Sequence, residues 1–203
     1  MTWEILNVIG TIAFAVSGAL VAIEEDYDLL GVFVLGLTTA FGGGLVRNLL
    51  IGIPVENVWK QDYLFAIAFV VITIVFILPN KWIGRWKKCV VFFDAIGLAA
   101  FAIQGANYAV SIKAPLIVVI IAATMTGAGG GMIRDVFAGR KPMIFRSEIY
   151  ALWAALAGLS IGLGWISGPL STFVLLTAIV LFRVLAVYFK WNLPQKKRSR
   201  KQL

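Results

Sequence analysis

Long apolar runs separated by short polar breaks organise this chain. A membrane-spanning helix needs about 20 mostly apolar residues, and seven stretches meet or approach that length: Trp3–Ile23, Leu29–Leu50, Tyr63–Leu78, Val90–Ser111, Pro115–Phe137, Ile149–Ile166 and Pro169–Phe189. The breaks read EEDYD, GIPVENVWKQD, PNKWIGRWKK, IKAP, AGRKPMIFRSE and SGP, rich in the charged, Gly and Pro residues that end helices. The pattern predicts an all-α integral membrane protein with seven transmembrane helices. Two runs nevertheless hold three consecutive glycines, in TAFGGGLVRN (Thr39 to Asn48) and TGAGGGMIRD (Thr126 to Asp135). Each glycine in a helix interior costs roughly 1 kcal/mol relative to Ala, so the triplets predict breaks inside the helices that the runs predict.

The second half of the chain repeats the first at a constant offset of 87 residues. NVIGTIAFAVSGALVA (Asn7–Ala22) lies over DAIGLAAFAIQGANYA (Asp94–Ala109), Gly42–Gly44 over Gly129–Gly131, Arg47 over Arg134, Asn48 over Asp135, Gly52 over Gly139 and Tyr63 over Tyr150. One register held across polar and apolar positions marks a duplication. Each unit has three spans, and no further span joins the units, so the second inserts upside down relative to the first. Inverted pairs of this kind recur in transporters, with the binding site near the midplane at the repeat interface. The expected plan is a first three-helix repeat (1–80), a basic cytoplasmic linker (81–89), a second, inverted repeat (90–168), a seventh helix (169–190) and a basic cytoplasmic tail (191–203).

Composition narrows the chemistry. The chain is 61% hydrophobic and 14% charged, whereas soluble domains run near 45–50% apolar and about 25% charged; the excess must face lipid. With no histidine and one cysteine, Cys89, neither an internal disulfide nor a Cys/His metal or haem site can be assembled. An intramembrane Ser–His protease is excluded for the same reason, and no other catalytic constellation is present, so no enzyme, cofactor or metal is expected. The GAGGG segment lacks the GK[ST] ending of a phosphate-binding loop. The N-terminus carries Glu4 rather than a basic region, and reads as a first span rather than a cleaved signal.

Charge also sets the orientation. The third break carries Lys81, Arg85, Lys87 and Lys88, the fifth carries Arg140, Lys141 and Arg146, and the tail carries Lys196, Lys197, Arg198, Arg200 and Lys201; the alternate breaks are poor in Lys and Arg. By the positive-inside rule the N-terminus lies outside and the C-terminus in the cytoplasm. The net charge of +8 therefore points to anionic lipid rather than to nucleic acid.

Each triplet falls roughly 13–15 residues into its span, about 20 Å at 1.5 Å per residue. A bend there would free main-chain groups that lipid cannot satisfy, which is tolerated only against protein or a water-filled path. Two readings stand: the glycines line a permeation path, or they let helices pack closely, as small residues do in membranes. A broken helix offers both carbonyl and amide ends, so the backbone alone does not separate a cation path from a site for small zwitterions. Asp94 is the candidate for attracting cations at the inner mouth, or else a structural partner of Arg183. Arg47 and Arg134 are candidates for gating or for binding a solute carboxylate, or else they snorkel to headgroups. The adjacent Asn48 and Asp135 join this set. Ser17 and Gln104, aligned by the repeat, are either oxygen ligands or interhelical hydrogen-bond partners. Trp3, Trp59, Trp82, Trp86 and Trp191 fit an interfacial belt.

The duplicated IGxxAFAxxGA and GGGxxR[ND]xxxG signatures, with seven spans in a 3+3+1 plan, resemble the bacterial members of the TRIC family of trimeric intracellular cation channels, whose repeat is also described as a glycine-transporter domain. The resemblance covers the chain apart from its basic tail. It implies a homotrimer with one pore per protomer, permeable to potassium and sodium and lined by the second and fifth spans, with Gly42–Gly44 and Gly129–Gly131 as pore bends. Animal members have a charged Lys-Glu-Val motif where this chain has glycine. Other bacterial relatives have been assigned glycine transport, so a carrier for glycine or a similar small zwitterion stands as the alternative.

Overall fold

A computed structural model describes residues 2–79, 89–145 and 149–193. Its helices are α1 (Thr2–Glu24), α2 (Leu29–Ile51), a short α3 (Glu56–Trp59), α4 (Asp62–Ile77), α5 (Val90–Ser111), α6 (Leu116–Phe137), α7 (Ala151–Gly162) and α8 (Pro169–Tyr188), and there is no strand among the described residues. The basic third break from residue 80 to 88, with Trp82 and Trp86, the Arg146 position and the Lys- and Arg-rich end of the tail lie outside the described residues.

Local chemistry fixes the helix ends. Asp28 caps α2 by accepting a 2.7 Å hydrogen bond from the Gly31 amide. Gly52 closes the same helix in the left-handed region, at φ 72°. Pro169 opens α8 at a position where its missing N–H costs nothing. Five described helices (α1, α2, α5, α6 and α8) are long and apolar enough to cross a membrane, and α4 and α7 are shorter apolar helices. The run Ile149–Ile166 was expected to span fully, yet its helix covers only Ala151–Gly162, about 18 Å at 1.5 Å per residue. The chain leaves helical geometry just beyond, with Gly164 at φ 75° and Gly168 at φ 86°. Large apolar side chains such as Leu30, Ile77, Leu170 and Val174 remain exposed on the outside of the bundle, the surface a lipid-embedded protein presents.

The expectation of broken helices is corrected. Helical main chain runs without interruption through Gly42–Gly44 in α2 and through Gly129–Gly131 in α6. The triplets serve close approach instead. A Cβ on Gly43 would overlap the carbonyl oxygen of Thr126, and a Cβ on Gly130 would overlap the carbonyl oxygen of Thr39. The contact is reciprocal, at positions one repeat apart. Thr39 and Thr126 turn their hydroxyls back into their own helices, donating to Leu35 O at 2.6 Å and to Ala122 O at 2.5 Å. The backbone-to-backbone crossing is thus left without an unpaired hydroxyl. Small residues extend the pattern outward: a Cβ at Gly18 would stand 2.7 Å from Leu35 O, and one at Gly105 would strike Ala122 O.

At one end of the bundle, where α1 stops and α6 ends, Arg140 donates to Glu25 at 2.5 Å and to Glu24 at 3.0 Å. Burial works against its charge, but the two carboxylates outweigh burial and hold its pKa above the ordinary arginine value. Tyr27 adds a 2.7 Å hydrogen bond to Phe137 O at the same end.

Candidate permeation site

Three residues beyond each triplet stands a buried arginine, and the two are built alike. Arg47 donates through Nε (3.0 Å) and Nη2 (2.9 Å) to Asn48 Oδ1. Arg134 donates through Nε (2.9 Å) and Nη2 (2.8 Å) to Asp135 Oδ1. Each neighbour then ties the helix end to the chain that follows, Asn48 Nδ2 donating to Pro54 O (3.3 Å) and Asp135 Oδ2 accepting from the Met143 amide (2.9 Å). Neither arginine lies on the outer surface of the bundle: Arg47 is 5% exposed and Arg134 fully buried.

The halves differ in what faces the remaining Nη1. Arg134 Nη1 donates to Asp94 Oδ1 at 2.7 Å and to Ser17 Oγ at 2.6 Å, so cation and carboxylate meet with no exposed side-chain surface. The partner of Asp94 is therefore Arg134. Arg183 instead lies over the Tyr150 ring at 4.8 Å, with Nη2 3.6 Å from Met143 Sδ. Gly131 leaves room for the cluster; a Cβ there would come within 2.8 Å of the Tyr150 hydroxyl and 3.2 Å of Asp94 Oδ1. Among the described residues, this cluster is shut off from solvent, its side chains at most 4% exposed.

Around Arg47 the equivalent positions hold Asn7 and Gln104, and the space is open. A cavity of about 340 Å³ enters where α1 begins and α5 ends, passes Trp3, Asn7, Tyr108, Arg47 and Gln104, and reaches Gly44 and Thr126 at mid-bundle. At roughly 30 Å³ per water this is room for about ten waters. The Arg47 guanidinium lies 4.0 Å from the centre of the Tyr108 ring, a cation–π contact that fixes it at the wall. Of the triplet residues only Gly44 lines the cavity. A Cβ on Gly44 would meet nothing nearer than Arg47 Nη2 at 3.9 Å. Gly44→Ala should accordingly stay within about 1 kcal/mol of the native stability, whereas Gly131→Ala should melt well below the native protein; equal melting temperatures of the two variants would contradict this asymmetry.

Trp3, expected in an interfacial belt, stands at the cavity wall with Thr11 and Tyr108, neither of which is among the candidates named from the sequence. The signal was there: Trp3, Asn7 and Thr11 recur every fourth residue on α1, and Gln104 and Tyr108 do so on α5. That spacing sets polar and aromatic groups along one helix face.

Comparison with known proteins agrees with this architecture. The family model described as glycine transporter matches residues 4–80 and again 91–166. UPF0126 membrane protein YvgT of Bacillus subtilis (strain 168) is 57% identical over 196 residues, covering 97% of each chain. A solved structure bearing on conductance through TRIC cation channels is 36% identical, with a TM-score of 0.84 over 98% of this chain and 99% of that one. The TRIC trimeric intracellular cation channel orthologue from Rhodobacter sphaeroides is 28% identical, with a TM-score of 0.78 over 93% of this chain and 98% of that one. The solved neighbours are channels rather than enzymes. From its twice-matched glycine-transporter model and its likeness to these membrane proteins along nearly the whole chain, the protein belongs to the bacterial TRIC family.

Proposed function

We propose that the protein conducts monovalent cations, potassium and sodium foremost, passively across the cell membrane through a path inside each protomer of a homotrimer. Its two three-helix units lie inverted about an axis in the membrane plane, with the N-terminus outside, the C-terminus in the cytoplasm and lipid around the bundle. One observation carries the reading: in a chain similar over 98% of its length to a TRIC cation channel, a polar cavity leads from one end of the bundle to its middle. The trimer is taken from the Rhodobacter relative, which is described as trimeric. Beyond the glycine crossing the path meets the Asp94–Arg134 pair. The structure is thus read as a closed state, and conduction requires that pair to separate.

Purified protein in a planar bilayer under a potassium gradient tests this. Unitary currents that reverse near the potassium equilibrium potential are expected. The glycine-transporter description of the family model favours a second reading, a carrier for glycine or a similar small zwitterion. Saturable glycine counterflow in vesicles without unitary currents would establish that reading in place of the first, and the absence of both would refute both.

A further inference from the structure

The two arginine sites differ in one chemical respect. In the second unit, Arg134 has two carboxylate partners, Asp94 and Asp135. One repeat earlier, both carboxylates are replaced by amides of the same shape, Asn7 and Asn48. Arg47 therefore keeps the bidentate hold of its neighbour but has no anion. None of the side chains lining its cavity is acidic. A guanidinium that is 5% exposed, stays ionised at any ordinary pH and lacks a counter-charge is costly to bury. A second observation points the same way. Gln104 takes the place that Ser17 has beside Arg134; it is 2% exposed, lines the cavity, and its amide nitrogen has no hydrogen-bond partner. Arg47 and Gln104 thus line one cavity with no carboxylate in its wall, and the Gln104 amide nitrogen has nothing to accept from it.

The geometry points to a binding site for a small carboxylate at Arg47, Gln104 and Asn7, where the ligand's carboxylate takes the role that the Asp94 side chain fills in the other half. Arginine presents a planar pair of donors suited to a carboxylate. The amide nitrogens of Gln104 and Asn7 add donors that a bound carboxylate oxygen can accept. Tyr108 stands behind the guanidinium and holds it in position, and the cavity of about 340 Å³ leaves room for the remainder of the ligand. The site does not rest on the cation reading. In a cation path its occupancy neutralises the one positive side chain in the cavity wall; in a carrier the same contact holds the carboxylate of the solute.

Binding is measured without transport, by titrating the purified full-length protein in detergent and following heat and tryptophan fluorescence, to which Trp3 contributes from the cavity wall. The probes are sodium acetate, glycine, glycinamide and sodium chloride at matched ionic strength. Acetate and glycine should both saturate, and glycinamide and chloride should not. Arg47→Gln should weaken acetate binding at least ten-fold. Asn7→Asp should do the same with an unchanged or raised melting temperature, because the new side chain supplies internally the anion that Asp94 supplies to Arg134. Acetate binding of native strength in Asn7→Asp would overturn the assignment. So would the absence of saturation with acetate, saturation with glycine alone, or equal binding of chloride. Failure to see currents would leave it standing, and failure to see binding would leave the cation reading standing.

Discussion

Replacing Arg134 by leucine is expected to cost about 3–5 kcal/mol of stability. The whole margin of a folded protein is about 5–15 kcal/mol, so much of the preparation should aggregate on extraction. The side chain is fully buried and is the common partner of Asp94, Asp135 and Ser17. Taking it away leaves two carboxylates in a low-dielectric interior without a cation, which is worse than losing the contacts themselves. Arg134→Leu combined with Asp94→Leu and Asp135→Asn should therefore recover much of the loss, because no orphan charge remains. Arg47→Leu should cost far less, since its partner Asn48 is neutral. Thermal unfolding of the four proteins in one detergent checks the order. An Arg134→Leu protein melting at the native temperature would show that the ion pair carries no structural weight.

The second large effect is expected at the helix crossing. Gly43→Ala and Gly130→Ala should each destabilise the protein by about 1–3 kcal/mol. The obstacle is the main-chain carbonyl of Thr126 in one case and of Thr39 in the other, and a carbonyl in mid-helix cannot swing aside as a side chain can. Gly42→Ala is the control. There the added methyl would meet Ile133 Cδ1 at 2.6 Å, the far end of a flexible side chain, and a rotamer change relieves it. The double variant Gly43→Ala with Gly130→Ala should lose less than the two single losses together, because the first methyl already parts the helices that the second would part. Strictly additive losses would mean that the two contacts are independent.

Much of this was legible in the sequence, and the reasons for the rest are physical. Apolar run lengths located α1, α2, α5, α6 and α8 because lipid requires unbroken hydrophobic helices. The offset of 87 residues paired Arg47 with Arg134 and Asn7 with Asp94, and the structure gives those pairs matching places. Of the two readings of the triplets, close packing is the one that the structure bears out, and the expected breaks are absent for a definite reason. Glycine propensity describes an isolated helix in water, where main-chain entropy counts against it; in this bundle the same missing Cβ admits a second helix, and packing overrides propensity. For Asp94 the sequence offers Arg183 as the structural partner, and the structure gives Arg134, since sequence separation does not show that α5 and α6 lie side by side while Ser17 on α1 completes the cluster. The cavity depended on Tyr108 and Trp3, which meet edge to face with ring centroids 4.8 Å apart although they are far apart in sequence.

The reciprocal seating of Gly43 on the Thr126 carbonyl and of Gly130 on the Thr39 carbonyl lies near the middle of both α2 and α6. Two rods pressed together at their centres can rock about the contact like a seesaw: a tilt that spreads them on one side of the pin draws them together on the other. Widening at the Arg134 end would then be mechanically tied to narrowing at the Arg47 end, with no messenger between them other than the pin itself.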